Sequence, residues 1–222
     1  MRPSEHKQLI TGPAGAIETI VETPAGGSIK GIALICHPHP LFGGANTNKV
    51  AQTLARTFVN LGYAALRPNF RGVGHSAGSH DEGRGEAEDM LAVIDWAQTH
   101  FMAASAGCAS PLPVVLGGFS FGAYVQTKVA KHLAEAGQAA QRLVLVGTAA
   151  GHVEGARQYE TAAVPADTIV IHGAKDETVS LVNVLAWAET MDLPVTVVAG
   201  ADHFFHRRLH IIRDIIERAW RH

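Results

Sequence analysis

The sequence predicts an α/β protein with a mostly parallel central β-sheet and helices on both faces. Short β-rich apolar runs alternate with longer segments of helical periodicity. The runs VVLGGF, LVLVG and TIVIHG are apolar throughout, which is typical of strands covered by helices on both faces. Polar, glycine-rich segments follow directly after these runs, where the sites of parallel sheets lie. We therefore expect one domain over residues 1–222, with its site at the carboxyl ends of the strands.

The individual elements follow from the hydrophobic pattern in chain order. Two strands, GAIETIVETP and IKGIALICHP, come first, and apolar residues on one face predict a helix over residues 46–61. The strand YAALRPNF and a helix over residues 86–101 follow. The remaining elements are the strand PVVLGGF, a helix over 122–136, the strands RLVLVGT and TIVIHG, a helix over 181–191, the strand PVTVVAG and a helix over 205–220. Between RLVLVGT and TIVIHG, residues 149–167 leave room for no more than a short helix and loop, so no lid domain is expected.

The charge of the chain bears on which partners it binds, and its cysteine content bears on its cellular compartment. Eighteen basic and twenty acidic residues give a net charge of −2, without a run of like charges that would favour nucleic acid. Two cysteines, Cys36 and Cys108, do not make a disulfide framework. No segment has the apolar core of a signal peptide or the length of a membrane span. We expect a cytoplasmic protein that binds neither nucleic acid nor membrane.

Two segments match the pattern GxSxG, and their surroundings differ. Ser120 follows the apolar run of residues 114–118 and precedes a periodic helix, which is the strand, turn and helix context that a nucleophilic serine needs. Ser76 lies between the loop FRGVG and the polar stretch GSHDEG, as a turn residue does. The sequence therefore favours Ser120 as the nucleophile.

A serine hydroxyl needs a base that takes its proton and an acid that orients the base. Asp176 and His203 each lie a few residues beyond a predicted strand, which gives the chain order Ser120, Asp176, His203. Asp202 is adjacent to His203 and cannot easily fold back onto that ring. Glu177 is a competitor one residue from Asp176.

In chain order, the four segments FRGVGHSAG, GGFSFGAY, IVIHGAKDETV and GADHFF each resemble a stretch typical of the α/β-hydrolase superfamily, and the resemblance extends over nearly the whole chain. CHPHPLFGG is similar to a compact, lidless bacterial subgroup of esterase-like members, and HPLFG resembles the oxyanion loop of dienelactone hydrolases. The resemblance implies the α/β-hydrolase fold, a serine-dependent carboxylic ester hydrolase of the esterase or thioesterase type, and no cofactor.

Two backbone N–H groups should stabilise the oxyanion of the tetrahedral intermediate. One is that of Phe121, directly after the nucleophile. His39, Leu41 and Phe42 are the available donors in HPHPLFGG, because its prolines have no N–H. The resemblance to the dienelactone hydrolase loop favours Leu41, with His39 as the alternative. We expect His39, Phe42 and Phe204 to contact the substrate.

Other histidines and one arginine have structural interpretations. His37 and His39 lack an obvious third ligand for a metal, and we expect His37 to be bonded within a rigid loop. His206 and His210 lack the glutamate of the HExxH motif, so no metal site is predicted. Arg71 should form a bidentate ion pair, and the sequence leaves Asp81, Glu82 and Glu86 open as its partner.

The predicted activity is hydrolysis of a small-molecule ester or thioester through an acyl-enzyme on Ser120. Acyl transfer to another acceptor and peptide hydrolysis use the same three residues and stay open. A non-catalytic binding module on the same fold would have no need of all three. The absence of room for a lid favours small, soluble esters of short acyl chains.

Overall fold

The computed structural model describes residues 4–26, 29–104, 110–153 and 157–220. The strands are β1 (Ser4–Gly12), β2 (Gly15–Thr23), β3 (Ile32–Cys36), β4 (Ala64–Pro68), β5 (Val114–Phe119), β6 (Arg142–Val146), β7 (Gly151–Val153), β8 (Arg157–Tyr159), β9 (Ile169–Gly173) and β10 (Val195–Val198). The helices are α1 (Lys49–Asn60), α2 (Arg84–Ala104), α3 (Phe121–Glu135), α4 (Leu181–Glu189) and α5 (Leu209–Ala219).

Eight strands form one mixed sheet in the spatial order β1-β2-β4-β3-β5-β6-β9-β10. The strands from β4 to β10 along this order run parallel, and β2 pairs antiparallel with both β1 and β4. The carboxyl ends of β3, β5, β9 and β10 therefore lie at one edge of the sheet. The predicted fold class is confirmed.

Helices cover both faces of this sheet, as the continuous apolar strands require. On one face α1 and α5 pack their apolar stripes, which include Leu54, Phe58, Ile212 and Ile216, against the sheet. On the other face α2, α3 and α4 contribute to a second cluster, which includes Met90 and Val184. The side-chain oxygen of Asn48 accepts the N–H groups of Val50 and Ala51, so α1 begins later than predicted.

The edge strand β1 was not predicted from the sequence. Most of its residues are exposed, including Leu9, and only Ile10 is fully buried. A hydrophobic pattern arises only where one face of a strand is buried, and β1 has almost no buried face. Its pairing with β2 over nine residue pairs is therefore a property of the hairpin turn and the backbone ladder.

The segment between β6 and β9 differs from the prediction. It contains the two-stranded antiparallel ladder of β7 and β8 where a short helix and loop were expected. Strands of three residues are too short to produce a recognisable period. The described residues between β6 and β9 form no lid domain.

Arg71 forms its bidentate ion pair with Asp89, which corrects the three predicted partners. Its Nε lies 2.8 Å from Oδ2 of Asp89 and its Nη2 lies 2.9 Å from Oδ1. Asp89 lies one helical turn beyond Glu86, and Glu86 instead accepts the N–H groups of Asp81 and Gly83. The sequence could not separate carboxylates at this spacing because the start of α2 decides which one faces the arginine.

The remaining expectations concern cysteines and membranes. Cys36 is a buried free thiol in β3, and Cys108 lies outside the described residues. Within the parts of the chain that the structure describes, no helix is both long and apolar enough to cross a bilayer.

Candidate active site

Ser120 occupies the sharp turn between β5 and α3. Its backbone has φ 57° and ψ −120°, a left-handed conformation that a side chain rarely adopts. The turn is fixed by its neighbours, since the N–H of Ser120 donates to the carbonyl of Val146 at 2.9 Å, at the end of adjacent β6. A strand that ends abruptly against a helix start projects the hydroxyl beyond the sheet edge.

The structure brings the predicted base and acid to this hydroxyl. Nε2 of His203 lies 3.1 Å from Oγ of Ser120, and Nδ1 of His203 lies 2.7 Å from Oδ2 of Asp176. The Asp176 carboxylate only accepts hydrogen bonds, so Nδ1 of His203 carries the proton and Nε2 is free to accept from the hydroxyl. The three side chains form one continuous hydrogen-bonded chain.

The surroundings of Asp176 hold its carboxylate in place. Oδ1 accepts the backbone N–H groups of Thr178 and Val179 at 3.0 and 2.8 Å, and the side chain is fully buried. Nε2 of His172, also buried, lies 3.5 Å from Oδ2 and 3.0 Å from the Val179 carbonyl. The turn after β9 therefore presents one carboxylate oxygen to His203 and uses the other to fix itself.

Neither competing acid lies against His203. Glu177 is exposed. The carboxylate of Asp202 lies 2.7 Å from Nδ1 of His206 and also accepts that residue's N–H. This pair is exposed, so both its carboxylate and the His206 ring are engaged at the surface.

The loop after β3 (residues 37–44) forms the opposite wall of the site. His37 is fully buried, accepts the N–H of Phe70 at Nε2 and donates from Nδ1 to the carbonyl of Pro38. Burial lowers the pKa of His37 to about 4, so its ring is neutral at neutral pH. The expected internal bonding of His37 is what the structure contains.

The hydrogen bonds in this loop do not support Leu41 as the second oxyanion donor. Its N–H donates to Nδ1 of His39 at 3.3 Å, and Leu41 does not line the cavity that contains Ser120. The N–H of Phe42 is likewise engaged, with the carbonyl of His39. Among the described residues no acceptor takes the N–H of His39, the alternative donor. The N–H of Phe121, at the first position of α3, has no partner within the helix.

A cavity of about 380 Å³ opens over Ser120. The three predicted substrate contacts, His39, Phe42 and Phe204, all line it together with His203. Burial lowers the pKa of the His39 imidazole to about 4, with the charges of His80 and Arg157 as smaller causes. The His39 ring is therefore neutral at neutral pH.

Arg157 is a cavity residue that sequence reasoning missed. It lies on β8, lines the Ser120 cavity and places its guanidinium 4.3 Å from the ring of Phe42. The ladder of β7 and β8 thus reaches over the site although it is far smaller than a lid domain. In the sequence Arg157 is an arginine in a short connection after β6, and it has no distinctive spacing from the other site residues that would have indicated its position.

No metal site emerges among the residues that the structure describes. They contain no group of three or more histidine, cysteine or acidic side chains arranged to hold a metal ion. His37 uses both ring nitrogens within the protein, and His39 uses Nδ1 for the Leu41 N–H. These histidines shape the loop.

Comparison with known proteins gives one family and several close structures. Residues 24–146 match the model of the X-Pro dipeptidyl-peptidase (S15 family), a range that contains Ser120 and ends before Asp176. An uncharacterized protein of Rickettsia prowazekii (strain Madrid E) is 31% identical over 201 residues, which is 87% of this chain and 79% of the relative.

Two solved structures resemble the chain over almost its full length. One, from Xanthomonas campestris, is described as an α/β serine hydrolase without lid. It has a TM-score of 0.81 and 32% sequence identity, and the match covers 98% of this chain and 94% of that chain. The other, an α/β serine hydrolase homologue from Coxiella burnetii, has a TM-score of 0.80 and 38% identity, with 96% of each chain covered.

Proposed function

Because the chain belongs to the X-Pro dipeptidyl-peptidase (S15) family and is an α/β serine hydrolase, we propose that it cleaves carboxylic esters or thioesters of small acyl substrates. The observation that carries this proposal is the hydrogen-bonded chain from Ser120 through His203 to Asp176. The reaction proceeds through an acyl-enzyme on Ser120 and requires no cofactor.

In the first step Oγ of Ser120 attacks the carbonyl carbon of the substrate. Nε2 of His203 takes the hydroxyl proton and then gives it to the leaving alcohol or thiol. Asp176 stabilises the imidazolium and holds its tautomer, because the Nδ1 proton points at Oδ2 over 2.7 Å. Water then attacks the acyl carbon. His203 takes a proton from this water and gives it to Oγ of Ser120, which releases the acid and restores the enzyme.

The negative charge that develops on the carbonyl oxygen needs two preset donors. We assign them to the N–H groups of Phe121 and His39, which have no acceptor within their own elements. The start of α3 adds the positive end of the helix dipole. His39 takes this role in place of Leu41, because the Leu41 N–H is occupied by the His39 ring.

The dimensions of the site favour small acyl groups. A cavity of about 380 Å³ lies at the lower end of the range for small-molecule sites. Among its described residues, the connection between β6 and β9 contributes the ladder of β7 and β8 and no apolar lid that could cover a long chain. We expect kcat/KM for p-nitrophenyl esters to be highest at short chains and not to rise when the substrate forms micelles.

Peptide hydrolysis is the second candidate, and the family description favours it. Amide bonds use the same nucleophile and base, so the residues of the site alone do not separate the two activities. Ala-Pro-p-nitroanilide is the direct probe, compared with p-nitrophenyl acetate at equal concentration. Faster cleavage of the anilide would replace esterase by peptidase as the function.

Acyl transfer and passive binding are separated by two further measurements. Adding small alcohols or thiols during ester turnover reveals acyl transfer as ester or thioester product in place of free acid. A fluorophosphonate probe should label the wild-type protein and fail to label Ser120→Ala, with Ser76→Ala as the matched control that still labels. Absence of labelling in the wild-type protein would show that Ser120 is not activated and favour a binding module.

A further inference from the structure

A second and larger cavity of about 760 Å³ lies beside the one over Ser120. The two cavities share His39, Phe42 and Arg157 in their walls. A substrate whose carbonyl lies at Ser120 can therefore extend past these three residues into the larger cavity. The reaction steps at Ser120 make no use of this space.

Aromatic rings form one wall of the larger cavity. The ring centroids of Tyr124 and Tyr159 are 5.0 Å apart, and Phe121 lies 5.9 Å from Tyr124 and 6.3 Å from Tyr159. All three residues are buried against the core and cannot easily rearrange. Fixed rings at these separations offer faces and edges to a flat guest of similar size.

The half-buried charges of the larger cavity are cationic. Nζ of Lys128 lies 4.9 Å from the Tyr124 ring, and no carboxylate of the described residues lies within ion-pair distance of it. Arg157 covers Phe42 on the other side and hydrogen-bonds with Tyr159. The acidic residues of the lining, Glu82 and Glu160, are exposed.

Arg84, a third cation of the lining, is committed elsewhere. Its guanidinium lies 3.3 Å from Asp81 and 3.9 Å from Glu82, and its side chain is mostly exposed. Lys128 on α3 is therefore the cation of the lining that lies against the aromatic wall with no carboxylate partner among the described residues. Arg157 on β8 also lines the cavity and is already engaged with Phe42 and Tyr159.

We propose that the larger cavity is a subsite for a planar aromatic group that carries a carboxylate and is linked to the scissile ester. The ring packs on Phe121, Tyr124 and Tyr159, and the carboxylate pairs with Lys128. This substrate class rests on the proposed ester hydrolysis at Ser120. The aromatic group belongs either to the alcohol side or to the acyl side of the ester, so both are tested.

The experiment compares esters that differ only in charge. The first pair is 4-carboxyphenyl acetate and its neutral analogue 4-carbamoylphenyl acetate, and the second is ethyl 4-carboxybenzoate and ethyl 4-carbamoylbenzoate. We expect kcat/KM to favour the carboxylate about tenfold in one pair, as for a partly exposed charged hydrogen bond. The preference should fall as salt is added, because the charges are incompletely buried.

Two lysines of α3 give a matched pair of variants. Lys128→Met should reduce the carboxylate preference to near one. Lys131→Met removes a lysine that is exposed and 3.9 Å from Glu135, and it should leave both the rate and the preference as in wild type. Equal rates for the charged and neutral esters in both pairs, or a preference that survives in Lys128→Met, would overturn the subsite.

A binding measurement separates failure of the subsite from failure of the proposed function. Ser120-dependent turnover of the neutral esters without a carboxylate preference would leave ester hydrolysis standing and reject the subsite. Were no ester hydrolysed, calorimetry with Ser120→Ala and 4-carboxyphenyl acetate would still test the subsite. Binding about tenfold tighter than that of 4-carbamoylphenyl acetate supports it, and equal affinity for the two rejects it.

Discussion

The segments GFSFG and GHSAG match one pattern and have opposite local structures. Ser120 has a left-handed backbone and presents Oγ to His203 at 3.1 Å. Oγ of Ser76 donates to the carbonyl of Asn69 at 2.8 Å and accepts the N–H of Glu18 at 3.0 Å. The Ser120 hydroxyl therefore faces a base that can accept its proton, whereas the Ser76 hydroxyl forms hydrogen bonds that connect a loop to β2. The pattern itself therefore does not define a nucleophile.

The glycines of the two segments are also required for different structural reasons. A Cβ on Gly118 would lie 2.5 Å from the carbonyl oxygen of Gly122, and a Cβ on Gly122 would collide with the carbonyls of Cys36 and His37. These two positions are required by close backbone packing between β5, α3 and β3. Gly74 and Gly78 instead have φ of 58° and 82°, so the second segment needs glycine to turn.

The largest expected effect is that of Ser120→Ala on turnover. Removing the nucleophile of a comparable triad lowers kcat by about 10⁶, and we expect a loss of that order with p-nitrophenyl acetate. The variant should unfold at the same urea concentration as wild type or higher, since Oγ contributes nothing to the core. Appreciable residual activity, with Ser76→Ala inactive instead, would reverse the comparison.

Asp176→Asn comes next. An amide at this position can no longer hold His203 in the required tautomer, so turnover should fall by about 10⁴. Asp202→Asn is the matched control, because its carboxylate pairs with His206 at the surface, and it should retain activity within a few-fold. Similar losses in both variants, measured as kcat on the same ester, would contradict the assignment of Asp176.

Ser76→Ala should act on stability and not on turnover. It leaves the N–H of Glu18 and the carbonyl of Asn69 without a partner, which should lower the free energy of unfolding by about 3 kcal/mol. Urea unfolding monitored by tryptophan fluorescence measures this loss. A wild-type midpoint would mean that water replaces the hydroxyl, and the structural role assigned to Ser76 would be incorrect.

The smallest effect is the pH dependence of stability that His37 adds from the loop after β3. Burial lowers the pKa of His37 from 6.5 to about 4. The unfolded chain therefore binds a proton below pH 6.5 that the folded protein excludes until about pH 4. Stability is complete above pH 6.5 and is lost as the pH falls toward 4, by about 2 kcal/mol at pH 5.

The variant His37→Gln isolates this contribution. It removes the titrating ring, so its free energy of unfolding should change less between pH 7 and pH 5 than that of wild type. Urea titrations at pH 7 and pH 5 give the change in the free energy of unfolding for each protein. An equal change in wild type and variant would mean that His37 is not the group that takes up the proton.

The features that could be predicted from the sequence are those whose pattern reflects burial or chain order. The apolar strands β5, β6 and β9 predicted a covered parallel sheet, and the carboxyl ends of β5, β9 and β10 indicated Ser120, Asp176 and His203. The order of these ends in the chain favoured Asp176 and left Glu177 as a competitor one residue away. The geometry separates the two acids, because Oδ2 of Asp176 lies against Nδ1 of His203 and Glu177 is exposed.

What the sequence left open depends on orientation within short, irregular segments. Leu41, His39 and Phe42 are equivalent donors until the His39 ring is seen to occupy the Leu41 N–H. Asp89 took the place of the predicted Arg71 partners for the same kind of reason, the rotation of one helix start. Arg157 and Lys128 meet at one cavity only because β8 and α3 are brought together by tertiary packing.

The backbone at Ser120 places function and stability in opposition. A residue with a Cβ at φ 57° costs on the order of 1–3 kcal/mol, and the hydrogen bond from its N–H to Val146 helps to maintain it. Glycine adopts such angles more easily, so Ser120→Gly should give a sturdier but inert protein. Stability alone would therefore favour glycine at this position, and the proposed chemistry is what requires serine there.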